Sequence, residues 1–171
     1  EIRAQVWFFF RHLRKAFTEA FPETRDKAEY LRIWELLQDV TLHPIMGCFL
    51  SHVGNQKDDA TTGRVPDENF AREVMQLFSI GLYQLNPDGT PVIVNGAPVP
   101  TYGPSDIAGL ARVFTGWDYD FQGGDNSSPD YLRRPMTQVD RKHETGASSF
   151  LGVTVPAGAH KFLHGLAPMI S

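Results

Sequence analysis

The chain has 171 residues, 42% hydrophobic and 21% charged, with 16 Lys and Arg against 20 Asp and Glu for a formal charge of −4. That length supports one domain with a sizeable core or two small ones, and the composition excludes a disordered chain. The acidic balance excludes a nucleic-acid footprint, and the single cysteine, Cys48, excludes an internal disulfide without fixing the compartment.

No signal peptide, transmembrane span or initiating methionine is visible, so the chain reads as processed, trimmed or internal to something longer. Ile2–Phe21 carries Trp7, Phe8, Phe9, Phe10, Phe17 and Phe21, with apolar residues at helical period and Arg3, Arg11, Arg14 and Lys15 on the remaining face. A core helix of a larger domain accounts for this pattern better than a membrane or partner patch at Phe8–Phe10. Pro22 ends it. Asp26 to about Leu42 predicts a second helix, and Pro44 opens a short third one over Ile45–Val53. Gly54–Pro66 is polar and predicts a loop. Its Asp58, Asp59, Thr61 and Thr62 lack the spacing of a calcium loop.

Pro66–Tyr83 is the most strongly patterned run. Phe70, Val74, Leu77, Phe78 and Gly81 or Leu82 recur at steps of three and four, with Asp67 placed to cap the helix and Gly81 to end it. Glu68 and Arg72 lie on one ridge, as do Asn69 and Glu73. Two readings compete for these four: a solvent-facing pair within a structural network, or an inward ligand or catalytic pocket. The structural reading has precedence, because buried polar groups ordinarily have structural partners.

Tyr83–Tyr102 predicts a small β-hairpin excursion, with turn chemistry at Asn86–Gly89 and a hairpin signal at Asn95-Gly96. Pro91, Pro98 and Pro100 restrict it to edge strands. The Asn86–Gly89 turn resembles a calcium loop only weakly. Gly103–Asp106 starts a helix with Ile107, Leu110, Ala111 and Phe114 on its buried side, ending at Thr115–Trp117. Arg112 lies at the apolar edge, which suggests a pairing with Glu73 or Glu68 across the two helices. Tyr119–Pro135 predicts a loop, Leu132–Val139 a short strand and Ser148–Val155 a strand or hairpin arm broken at Gly152.

The expected fold is therefore mainly α: helical over 1–82, a β-hairpin excursion over 83–102, a helix over 104–117, and a loop-rich C-terminal third over 118–171. The candidate polar site is Glu68, Asn69, Arg72, Glu73, Arg112 and His143, in which paired carboxylates and a histidine would do acid–base work if burial tuned them. Metal sets at His43/Cys48/His52 and at His160/His164 fall short of a full ligand shell, so no metal is assigned, and His43 serves better as a helix-entry hydrogen bonder. No serine-nucleophile elbow or phosphate-binding glycine loop is present, so catalytic residues and cofactors stay unknown.

Four blocks in order, DVTLHPIMGCFLSHVGNQ (Asp39–Gln56), DENFAREVMQLFSIGLYQLNPDGTP (Asp67–Pro91), DIAGLARVFTGW (Asp106–Trp117) and HETGASSFLGVTVPAG (His143–Gly158), resemble the bacterial family called domain of unknown function 1800. The resemblance puts Arg72, Glu73, Gly81, Gly116, Trp117 and His143 on the family's motif positions. Gly103-Pro104 departs from a Thr-Glu helix start. The resemblance implies an internal portion of a longer, exported bacterial protein, often encoded beside a sulfatase-like family, in a periplasmic or extracellular setting. The expected partner is a protein or the remainder of a longer chain. The leading expectation is a scaffold or binding protein of the cell envelope. The alternative is a hydrolase-like enzyme with a polar pocket between the Asp67–Tyr83 and Asp106–Trp117 helices.

Overall fold

A computed structural model of the chain describes residues 36, 37, 39–121 and 129–158. The aromatic helix expected over Ile2–Phe21, most of the Asp26–Leu42 helix, the glycine-rich run 123–128, and His160 and His164 lie outside the described residues.

Residues 36, 37 and 39–42 are helical. Helix α1, Pro44–Phe49, follows at once: His43 Nδ1 accepts the Ile45 N–H at 3.2 Å, and Pro44 occupies the first turn, where no amide donor is needed. Helix α2, Asn69–Gln76, starts where the Asp67 carboxylate accepts the Asn69 N–H at 2.8 Å, and it buries Phe70, Ala71, Val74 and Met75. Helix α3, Pro104–Val113, buries Ile107, Gly109, Leu110, Ala111 and Val113. Both Asp106 oxygens are engaged. One takes the Gly103 N–H at 2.8 Å and the other the Leu151 N–H at 2.7 Å, which ties the helix start to a distant turn.

The expectation of a mainly α fold is overturned. Of the described residues 32% are helical and 17% are in strands or bridges, with three small antiparallel sheets, which makes the class mixed α and β. Two physical causes account for the shortfall in helix. The periodic run of Pro66–Tyr83 stays helical only to Gln76. Beyond it the Leu77 and Phe78 amides share the Glu73 carbonyl, the Ser79 hydroxyl donates to the Val74 carbonyl at 2.6 Å, and Gly81 turns the chain at φ 72°. The strands are two or three residues long, below the length at which alternation can be read. They are β1 (Ile93–Val94) with β2 (Ala97–Pro98), β3 (Trp117–Asp118) with β4 (Thr137–Gln138), and β5 (Ser148–Phe150) with β6 (Val153–Val155). Short 3₁₀ turns fill Pro129–Leu132 and Asp140–Lys142.

The core lies where α3 is sandwiched between α2 and the β5–β6 hairpin. Phe70 of α2 meets Phe114, just past α3, edge to face at 4.7 Å, and Phe150 and Val155 close the other side. Gly109 makes the second contact possible. A Cβ there would collide with the Ser149 carbonyl, so only glycine lets the strand lie against the helix.

The excursion over residues 82–101 has its own logic. Three residue pairs face each other, Tyr83–Pro100, Leu85–Pro91 and Ile93–Pro98. At the junction between them the Gln84 N–H donates to the Val99 carbonyl, the Val99 N–H to Val92 and the Val92 N–H to Gln84, each at 2.8–2.9 Å. This closed ring of amides joins three short arms in a cloverleaf. Each proline sits at a pair not bridged by ladder hydrogen bonds, where the missing N–H costs nothing. Asn95 and Gly96, with φ 52° and 79°, form the predicted tight turn of one arm.

Candidate functional site

Gly116 and Trp117 leave the end of α3 through the centre of a polar belt. The Gly116 N–H donates to the Asn55 carbonyl at 2.8 Å, and the Trp117 carbonyl accepts the Gly54 N–H at 2.7 Å. Asn55 also clamps Asp67 from both sides, its amide donating to the Asp67 carbonyl at 3.0 Å while its oxygen accepts the Asp67 N–H at 2.9 Å. The loop 54–67 is thus stitched to α3 at one end and to the start of α2 at the other. A glycine is required at 116: its φ is 86°, and a Cβ would press on the His143 backbone and Cβ.

His143 is buried beneath that glycine. Its Nδ1 lies 2.8 Å from the Thr115 carbonyl, which only accepts, so the proton is on Nδ1. The Thr115 hydroxyl donates to the Arg112 carbonyl at 2.7 Å and accepts the Glu144 N–H at 2.8 Å. This chain of contacts fixes the 143–144 segment against the end of α3.

The remaining members of the sequence-predicted set fall in two places. Arg72 pairs with Glu68 at 3.2 Å, both side chains more than 40% exposed, in the solvent-facing arrangement of an i,i+4 pair. Asn69 contributes its backbone amide to the Asp67 cap, and among the described residues no hydrogen bond or ion pair holds the half-buried Glu73 carboxylate. Arg112 does not reach across to Glu73 or Glu68. Its Nε donates to Asp58 Oδ2 at 2.6 Å, in the loop that sequence reading treated as solvated. The structure therefore brings Glu68 to Arg72, and the Arg112 backbone to His143 through Thr115, and joins neither group to Glu73 by a polar contact.

Sequence reasoning passed over the buried polar residues that organise this belt: Thr41, His52, Asn55 and Thr115. His52 was weighed only as a metal ligand with Cys48, and the structure separates them by exposure, Cys48 outside and His52 fully buried. His52 stacks on Phe70 with ring centroids 3.8 Å apart, and its Nε2 donates to the Thr41 carbonyl at 2.8 Å. Its Nδ1 and the indole N–H of Trp117 are buried without a hydrogen-bond partner. Burial lowers the His52 pKa from 6.5 to about 4, opposed in part by the Thr41 hydrogen bond. The hydrogen bonds from Thr62 and Thr61 hold Asp59 below the usual carboxylate range, and those from Thr90 do the same for Asp88. Burial, aided by the neighbouring Cys48 thiol, pushes the Tyr119 phenol up. A periodic scan has no means of marking Asn55 or Thr115, because neither lies on a patterned face; the Gly54-Asn55 and Thr115-Gly116 dipeptides were the only local signal.

An open cleft of about 460 Å³ runs beside the belt, lined by Ser51, Gln56, Arg64 and Asp67 among others. Arg64 leans on the Lys57 carbonyl at 3.2 Å and Asp59 at 3.8 Å. Among the described residues no group of three or more His, Cys, Asp and Glu is placed to hold a metal ion, and no helix is long and apolar enough to cross a membrane.

A family model described as protein of unknown function (DUF1800) matches residues 32–170. No curated protein and no solved structure matches the chain.

Proposed function

We propose that this chain, which belongs to the DUF1800 family of proteins of unknown function, works as a non-catalytic scaffold or binding module of the cell envelope. The observation that carries the reading is the engagement of its polar residues. Arg112 is held by Asp58 and His143 by Thr115, while Asn55 staples the loop to two helices. Groups arranged this way fix a shape. The extracytoplasmic setting, with a protein or the rest of a longer chain as partner, rests on the family resemblance alone. The hydrolase alternative requires Arg112 and His143 to converge on Glu73 and Arg72, and each would first have to leave a closer partner.

The test is fractionation of the native host followed by chemical cross-linking. The expected result is a chain in the envelope fraction with a stoichiometric protein partner, and association that survives Glu73→Gln. Hydrolysis of any member of a panel of esters, amides, glycosides and phosphate or sulfate esters, abolished by Glu73→Gln in a protein that keeps its fold, would replace this reading with the enzymatic one.

A further inference from the structure

We propose that the exposed face of the cloverleaf is a self-association surface, on which a second copy of this chain docks through Tyr83, Leu85 and Ile93. The inference deepens the scaffold reading, on which it rests, by naming a partner.

The strand register defines the face. Residues paired directly across an antiparallel ladder, and residues two apart along one strand, point to the same side of a sheet. The three pairs therefore place Tyr83, Leu85, Ile93, Pro91, Pro98 and Pro100 on one side of the cloverleaf. All six are exposed, Tyr83 at 44%, Leu85 at 61% and Ile93 at 56%. The tyrosine hydroxyl is the only side-chain polar group among them.

Charge narrows the choice of occupant. Asp88 is the only charged residue from Leu82 to Thr101, in a chain that is 21% charged. Its carboxylate already accepts the Thr90 N–H at 3.0 Å and the Thr90 hydroxyl at 2.7 Å. A face without charge attracts neither a charged partner nor an anionic lipid surface, and it does not repel a copy of itself. Shape points the same way. Three bulky side chains alternate with three flat prolines, so a copy turned about a twofold axis can set its ridges on the other's prolines, as an isologous contact requires. An added β-strand is disfavoured, because prolines at 91, 98 and 100 remove the amides that would point outward from those positions.

Area sets the strength. The six side chains present on the order of 400–500 Å², so two copies would bury roughly 800–1,000 Å² in total, near the lower limit for a specific contact. The pairing is therefore a weak, concentration-dependent one.

Sedimentation equilibrium of the whole chain tests it, comparing wild type with Leu85→Lys/Ile93→Glu. Both positions are exposed and outside the core, and circular dichroism confirms that the fold is kept. Wild type is expected to dimerise in the micromolar range, with the double variant at least about tenfold weaker. A mixture of Ile93→Lys and Ile93→Glu copies should pair better than either alone. A wild-type chain that stays monomeric to millimolar concentration, or dimerisation unchanged in the double variant, overturns the proposal. Adsorption of wild type to neutral phosphatidylcholine vesicles in place of dimer formation overturns it in favour of lipid. A monomer leaves the scaffold reading to the envelope cross-linking, so the two fail separately.

Discussion

His52 makes the stability of this protein sensitive to mild acid, and the effect can be sized. Unfolded, its imidazole titrates near 6.5; folded, burial against Phe70 lowers that to about 4. Between those values the unfolded chain binds a proton that the folded chain refuses, so stability rises with pH there. The His52 contribution is fully present above pH 6.5 and is lost as the pH falls through about 4. The gap corresponds to about 3 kcal/mol, a large share of the roughly 5–15 kcal/mol of a typical domain. The assay is urea denaturation at several pH values from 7.5 to 4, for wild type and His52→Gln, whose amide keeps a donor for the Thr41 carbonyl. Wild type should lose about 3 kcal/mol across the range, and the variant, weaker at pH 7.5, should show a shallower slope. The carboxylates Asp59 and Asp88, both held low, contribute to each protein alike and cancel in the comparison. Parallel slopes for the two proteins would refute the reasoning.

Three further outcomes are expected. Gly109→Ala should lower stability by about 3 kcal/mol or more in urea unfolding, since the new methyl meets the Ser149 carbonyl and the strand must move off the helix. Asn55→Ala should cost about 2–3 kcal/mol through loss of two part-buried hydrogen bonds to Asp67, and limited proteolysis should cut faster within residues 56–66. Arg112→Gln should change stability by less than about 1 kcal/mol, less still in high salt, because its ion pair with Asp58 is about a third exposed.

What was legible in the sequence was what repeats locally. The apolar steps of Phe70, Val74, Ile107, Leu110 and Phe114 found the two helices that pack together, and Asn95-Gly96 found a turn. Helix length was misjudged because the apolar rhythm continues through Leu77 and Phe78 after the backbone has stopped being helical. Leu77 is 67% exposed, so the pattern there reflects no burial at all. The site was less legible for a different reason. Arg112 has an eligible carboxylate on the facing helix, but its partner is Asp58, 54 residues away in a loop, and the choice between them is made by the path of that loop. Asn55 and Thr115 act through backbone groups, and a backbone group carries no trace of itself in residue type. The three prolines of the excursion were read as marks of edge strands. Their actual placement depends on a three-way register that no two-strand hairpin contains.

The ring of amides at Gln84, Val92 and Val99 has a consequence for how this family can vary. Most small β-structures owe their shape to side chains pressed together, so their surfaces are hostage to their interiors. Here main-chain bonds supply the junction, and almost every side chain from Leu82 to Pro100 faces outward. Selection can rewrite those outward positions from one relative to the next without unfolding what carries them.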